Sequence, residues 1–170
     1  MMKIAGIKTC DTQNGEGLRV TLWTQGCPFR CKGCHNKETW NCEDGRDFTE
    51  KDRKYIFEEL RKGQEFSILG GEPLIDRNRV ELRYLLFDIR QEFPDMKIWL
   101  WTGRSWTDAK DKYKNIIKYI DVIVTEKYVD SKRINNPKEK EDFYRGSYNQ
   151  KIIDVKKSLK ENKIIMYKPK

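Results

Sequence analysis

The chain has 170 residues, with 35 Lys and Arg against 27 Asp and Glu and a formal net charge of +8. Seven Phe, eight Tyr and five Trp, spread among Leu, Ile and Val, are enough apolar material for a core without disulfide staples; this excludes disorder and leads us to expect a single domain over residues 1–170. Five cysteines, an odd number with three crowded together, exclude a secreted disulfide framework. No apolar run is long enough to cross a membrane, and Met1–Gly6 has no signal-peptide core, so a soluble resident of a reducing cytoplasm is expected, with no membrane partner. Lysines run from Lys3 to Lys170 and are enriched over Lys151–Lys170. A solvated basic face is the first reading of that charge, an acidic partner protein the second and nucleic acid the last.

In chain order, Lys3–Thr9 alternates as a short strand, Asp11–Gly17 is turn chemistry, and Leu18–Thr24 is the next strand, the two pairing as a hairpin. The loop leaving the second strand is Thr24-Gln25-Gly26-Cys27-Pro28-Phe29-Arg30-Cys31-Lys32-Gly33-Cys34-His35-Asn36, with cysteines spaced C-x3-C-x2-C. Thiolates this close can turn onto one inorganic centre and are too near one another for unstrained disulfides. An iron-sulfur cube is usually held by four cysteines, so three from one loop leave one iron open to an exogenous molecule. Three other readings stand beside it here. Cys31–His35 matches the C-x-x-C-H haem-attachment signature. A structural zinc site would take Cys10, Cys42 or His35 as fourth ligand. The cysteines are otherwise ordinary buried thiols.

From Thr49 the period changes: Thr49 with Asp52 resembles a capping box, and Tyr55, Ile56 and Leu60 form a helical stripe that ends at Gly63. Phe66–Leu69 is a buried strand running into Gly70-Gly71-Glu72-Pro73. A second helix covers about Arg77–Phe93, with Val80, Leu82, Leu85, Leu86 and Ile89 as its apolar face and Pro94 as its stop. Lys97–Trp101 is a strand followed by Thr102-Gly103-Arg104, Ala109–Tyr119 a helix, Asp121–Val124 a strand and Thr125–Tyr128 its trailing loop. Tyr144–Asp154 is read as a polar loop before a C-terminal helix. Alternating strands and helices build parallel strands through right-handed crossovers, and the loops after those strands share one edge, where ligands bind. With too little chain for eight β/α units, the expectation is an α/β fold: an incomplete, laterally open (β/α) barrel of about five or six mostly parallel strands.

Cys27-x3-Cys31-x2-Cys34, with Phe29 inside it, resembles the signature of the radical S-adenosylmethionine (SAM) enzymes, and Cys34-His35-Asn36-Lys37-Glu38-Thr39-Trp40 is similar to its continuation in the activating proteins of anaerobic ribonucleotide reductase. The segment Tyr144-Arg145-Gly146-Ser147-Tyr148-Asn149-Gln150-Lys151-Ile152-Ile153-Asp154 resembles the R-G-S-x-N-Q-x-x-I-D run of those activators, so the likeness covers residues 1 to 154. It implies a barrel of the radical SAM type and a [4Fe-4S] cluster on Cys27, Cys31 and Cys34, with SAM chelating the fourth iron. Gly70, Gly71 and Glu72 would seat the methionine moiety, and Phe29, Thr102 and Gly103 would be further cofactor contacts; no side-chain base is required. The implied activity is generation of a 5'-deoxyadenosyl radical that takes a hydrogen atom from a glycine of the large catalytic subunit of anaerobic ribonucleotide reductase, with an electron donor such as a flavodoxin. The alternatives are an activase of another glycyl-radical enzyme such as pyruvate formate-lyase, a small radical SAM enzyme of deazapurine synthesis, and a zinc-stabilised binding module. One departure stands out: where those relatives have Asp-Gly after a strand, this chain has Thr125-Glu126, and Glu126 becomes the candidate carboxylate. Cys10 and Cys42 have no assigned function.

Overall fold

The computed structural model describes residues 1–170. One sheet organises the chain, in the strand order β3-β1-β2-β4-β5-β6-β7. Its strands are β1 (Lys3–Asp11), β2 (Arg19–Thr24), β3 (Arg46–Asp47), β4 (Glu65–Gly70), β5 (Ile98–Trp101), β6 (Val122–Thr125) and β7 (Lys151–Asp154). Strands β2, β4, β5 and β6 pair in parallel, while β1 with β2, β1 with β3 and β6 with β7 are antiparallel. The sheet thus has seven strands rather than five or six, and only three of its six pairings are parallel. The physical reason lies in the connections. The β1–β2 link is a short loop over residues 12–18, and the stretch between β6 and β7 carries no α-helical crossover, so both strands return antiparallel. The edges β3 and β7 are not paired with each other.

The helices are α1 (Glu50–Leu60), α2 (Arg79–Glu92), α3 (Trp106–Lys112), α4 (Lys114–Ile117) and α5 (Val155–Glu161). The Thr49–Asp52 box forms as the spacing implies: the Thr49 side chain accepts from Asp52 N–H, and the Asp52 carboxylate accepts from Thr49 N–H at 2.9 Å. The expected helix at Ala109–Tyr119 is instead two, opened earlier by a Ser105 cap and broken at Tyr113. Period two divides the strands between the sheet's faces. Ile68, Leu100 and Ile123 join Leu82, Leu85, Leu86 and Ile89 of α2 in a 25-residue core beneath the helices. Val80, expected on that face, is 60% exposed, and Tyr55 of the α1 stripe is 42% exposed; both lie on the outer side of helices whose other apolar residues suffice for packing.

On the opposite face Trp99, Val122, Val124 and Ile152 make a smaller cluster joined by Trp101, Tyr144 and Tyr167. Arg19, fully buried, closes its N-terminal end. The guanidinium donates to Ser67 Oγ (2.5 Å), Phe66 O (2.7 Å), Lys97 O (2.7 Å), Glu16 O (2.7 Å) and the Glu65 carboxylate (2.8 Å). Every donor direction is used, as burying a guanidinium demands. The floor of this face is therefore shut, and what remains open is the edge where the parallel strands end.

Candidate metal and cofactor site

Three loops meet at that edge. The cysteine loop leaves β2, Gly70–Glu72 leaves β4 and Thr102–Gly103 leaves β5. They enclose a cleft lined by Cys27, Phe29, Cys31, Cys34, Gly70, Gly71, Glu72, Thr102 and Gly103, so the residues expected to hold cluster and cofactor come to one place. Cys10 and Cys42 do not line it. The loop after β6 closes the remaining side with Glu126, Lys127 and Tyr128, and Gln150 follows. Leu69 and Trp101 also line the cleft. Sequence reasoning passed over these two, although strand alternation with Ile68 and Leu100 carries the signal.

Backbone bonds hold the cysteine loop to its neighbours. Gly71 N–H donates to Thr24 O (2.9 Å), Glu72 N–H to Gly26 O (2.8 Å), Gly26 N–H to Thr39 O (2.8 Å) and Cys27 N–H to Trp40 O (3.0 Å). Packing at this distance is what the paired glycines allow. Gly70 has φ +107°, and a Cβ there would sit 2.7 Å from Thr24 N; a Cβ on Gly71 would overlap the Gly26 carbonyl oxygen and lie 2.9 Å from its carbon. The glycines are thus required by the contact between two strand-end loops, before any ligand is considered.

Glu72 is completely buried. Its carboxylate accepts from Thr102 Oγ1 (2.6 Å), Gly103 N–H (2.7 Å) and Leu74 N–H (2.9 Å). Burial pushes its pKa up, against the lowering effect of those three bonds. The side chain therefore ties the loop after β4 to the loop after β5, a bracing role that the resemblance did not indicate. Phe29 lies against Gly103, with the Lys127 ammonium 4.7 Å above its ring centroid, a cation–π arrangement at the rim. His35 is exposed and packs on Tyr128, ring centroids 5.4 Å apart. Glu126 has φ +79°, the left-handed conformation in which glycine is at ease. Glu126 nonetheless lines the cleft.

The donor set suits an iron-sulfur cluster: Cys27, Cys31 and Cys34 all line the one cleft. A cube places its irons at separate corners and takes each thiolate at its own. Burial pushes the Cys27 and Cys31 thiols up from the ordinary range, and for Cys31 the neighbouring Cys34 adds to the effect. Loading such a centre must displace protons from both.

Comparison with known proteins defines the class. The family model for a 4Fe-4S single cluster domain matches residues 13–153, a span that takes in all three cysteines and all the loops of the cleft. Anaerobic ribonucleoside-triphosphate reductase-activating proteins resemble the chain over most of its length. The one from Enterobacteria phage T4 is 39% identical over 148 residues, covering 86% of this chain and 90% of its own. Those from Vibrio cholerae (35%; 84% and 91%) and Escherichia coli K12 (34%; 84% and 92%) match over 146 residues. The chain belongs to the family of anaerobic ribonucleoside-triphosphate reductase-activating proteins. No helix is long and apolar enough to cross a membrane.

Proposed function

We propose that the chain is a radical SAM activase, working in a reducing cytoplasm, that installs a glycyl radical on anaerobic ribonucleotide reductase. The observation that carries this reading is the gathering of three thiols, the Gly70–Glu72 loop and the Thr102–Gly103 loop on one cleft at the ends of parallel strands. The sheet whose edges stay unpaired is read as the laterally open barrel of such enzymes, and its open side as the entry for a loop of the partner.

Cys27, Cys31 and Cys34 would hold the [4Fe-4S] cluster and leave one iron without a protein ligand. The backbone around Gly70 and Gly71, held by Glu72, would receive the methionine end of SAM, and Phe29 with Thr102–Gly103 would line its nucleoside end. When bound, cluster and SAM would supply the radical chemistry, a one-electron reductive cleavage of SAM to methionine and an adenosyl radical that would take a hydrogen atom from a glycine of the reductase to give 5'-deoxyadenosine. The chain's own part is to bind, orient and exclude water, and no residue needs to move a proton. An electron donor such as a flavodoxin would meet the exposed cations Arg30, Lys32 and Lys37 of the cysteine loop.

Mixing the reduced, cluster-loaded chain with SAM and the reductase in the absence of oxygen should give a glycyl-radical doublet by EPR together with 5'-deoxyadenosine. Pyruvate formate-lyase in place of the reductase should give little. Radical on the lyase alone would overturn the choice of partner, and turnover of a free purine precursor would overturn the protein substrate.

A further inference from the structure

The segment Arg145–Gln150 carries a strong sequence signal, yet only Gln150 lines the cleft. Its side chains bond elsewhere. Gln150 Oε1 accepts from Gly146 N–H (2.8 Å) and Ser147 N–H (3.1 Å), while its Nε2 donates to Glu126 O (3.1 Å). Asn149 Nδ2 donates to Lys127 O (2.9 Å), and the buried Ser147 Oγ accepts from Val129 N–H (3.2 Å). Arg145 ties the segment to the preceding turn and to its own end, donating to the Asp142 carboxylate (2.7 Å) and to Gln150 O (3.2 Å). Gly146 lies under Tyr128, whose ring carbon would be 3.1 Å from any Cβ at that position. Three backbone sites of the loop after β6, at 126, 127 and 129, are therefore held by three side chains of one short segment.

We infer that Arg145–Gln150 is a backbone clamp on the loop after β6, and that Gln150, Asn149 and Ser147 are positioning residues that set Glu126, Lys127 and Tyr128 around the cleft. Glu126 is one of four non-glycine residues at positive φ, a conformation that persists only where its surroundings impose it. Here they do so from both sides: its N–H donates to Arg104 O (2.9 Å), and its C=O accepts from Gln150. Without the clamp the peptide is free to relax, which would carry the Glu126 carboxylate and the Lys127 ammonium away from the cleft. The segment's polar groups thus act within this chain. Tyr148, 52% exposed, is the member of the segment left facing outward.

The consequence for ligand binding rests on the SAM reading above, so the test has two arms. In the metal-free full chain, Gln150→Ala should speed hydrogen exchange of the 126–129 amides about tenfold, the loss of one half-buried hydrogen-bonding side chain, and leave α2 unchanged. Adding Glu126→Gly, which adopts positive φ without strain, should shrink that effect to about threefold or less. In cluster-loaded protein, Gln150→Ala should weaken SAM binding about tenfold at unchanged iron content. Unaltered exchange at 126–129 overturns the clamp, as does an equal rise across α2. A local rise in exchange with unchanged SAM affinity overturns the positioning role. Failure of the native protein to bind SAM overturns the functional reading instead, and the exchange arm still judges the clamp. Ser147→Ala, which removes only the bond to Val129 N–H, repeats both arms should Gln150→Ala not fold.

Discussion

Gly71→Ala tests whether the glycine pair serves packing or ligand approach. The added Cβ would overlap Gly26 O and stand 2.9 Å from Gly26 C and 3.0 Å from Thr39 O. All three are backbone atoms with no rotamer to yield, so the two loops must part by several tenths of an ångström. Overpacking of this kind costs about 1–3 kcal/mol. Parting the loops also stretches the 2.8 Å bond from Glu72 N–H to Gly26 O, worth about 1 kcal/mol. The expected destabilisation is therefore about 2–4 kcal/mol, read from urea unfolding of the metal-free chain. Because Gly26 precedes Cys27, the displacement should reach the first thiol, and iron and sulfide content after anaerobic reconstitution should fall with it. Gly6→Ala is the control, since nothing lies within 4 Å of a Cβ at that position. A Gly71→Ala chain as stable as the native, with full iron content and only its SAM binding reduced, would refute the packing argument and return the glycine pair to the ligand.

Replacing Cys27, Cys31 or Cys34 by Ala should abolish the oxygen-sensitive absorbance of the reconstituted protein, while Cys10→Ala and Cys42→Ala keep it; equal loss at Cys10 or Cys42 would indicate a fourth protein ligand. Glu72→Gln would turn an amide N–H₂ toward either Gly103 N–H or Leu74 N–H, and facing donors in a buried site should cost about 1–3 kcal/mol, measured by denaturant unfolding. Asp52 gives a pH dependence. The bidentate Arg46 guanidinium, helped by Thr49, holds its pKa down at about 2, so its contribution is present above the unfolded value and is lost as pH falls through the folded one. With Arg46 half exposed, that contribution is on the order of 1 kcal/mol. The stability advantage of the native protein over Asp52→Asn should shrink between about pH 4 and about pH 2, and an advantage constant over that range would contradict the assignment.

The elements most legible in the sequence were those whose signal is local. The Thr49–Asp52 cap, the strands into the cysteine loop and into Gly70–Gly71, and the stop at Pro94 each depend on a few adjacent residues. Strand-end loops share an edge by geometry alone, so the gathering of Cys27, Gly71 and Thr102 followed once the strands were placed. What stayed hidden depends on distant partners. Lys151–Asp154 is only two isoleucines between polar residues, too short a signal by itself, and it becomes a strand because β6 offers it an antiparallel edge. Val80 fits the apolar stripe of α2 by spacing but falls on its outer side. Glu72 looks like a ligand-facing carboxylate in sequence, and only the approach of Thr102 and Gly103 reveals it as a brace.

These contacts form one continuous line through the site. Glu72 N–H bonds Gly26 O beside the first cysteine, and the Glu72 carboxylate bonds Thr102 and Gly103. Arg104 O, next along, accepts from Glu126 N–H, and Glu126 O accepts from Gln150. Four loops from four parts of the chain are thus linked from Cys27 to Gln150 without a flexible exposed side chain intervening. A site built this way is organised before its ligands arrive, which favours placing a reactive group within a narrow tolerance. It also makes the loops mechanically inseparable: a change at Gly71 is felt at Cys27, and a change at Gln150 at Glu126. Movement during the proposed reaction must therefore come from elsewhere, and under the proposal above a partner loop entering at the sheet edge would supply both the closing motion and the exclusion of water.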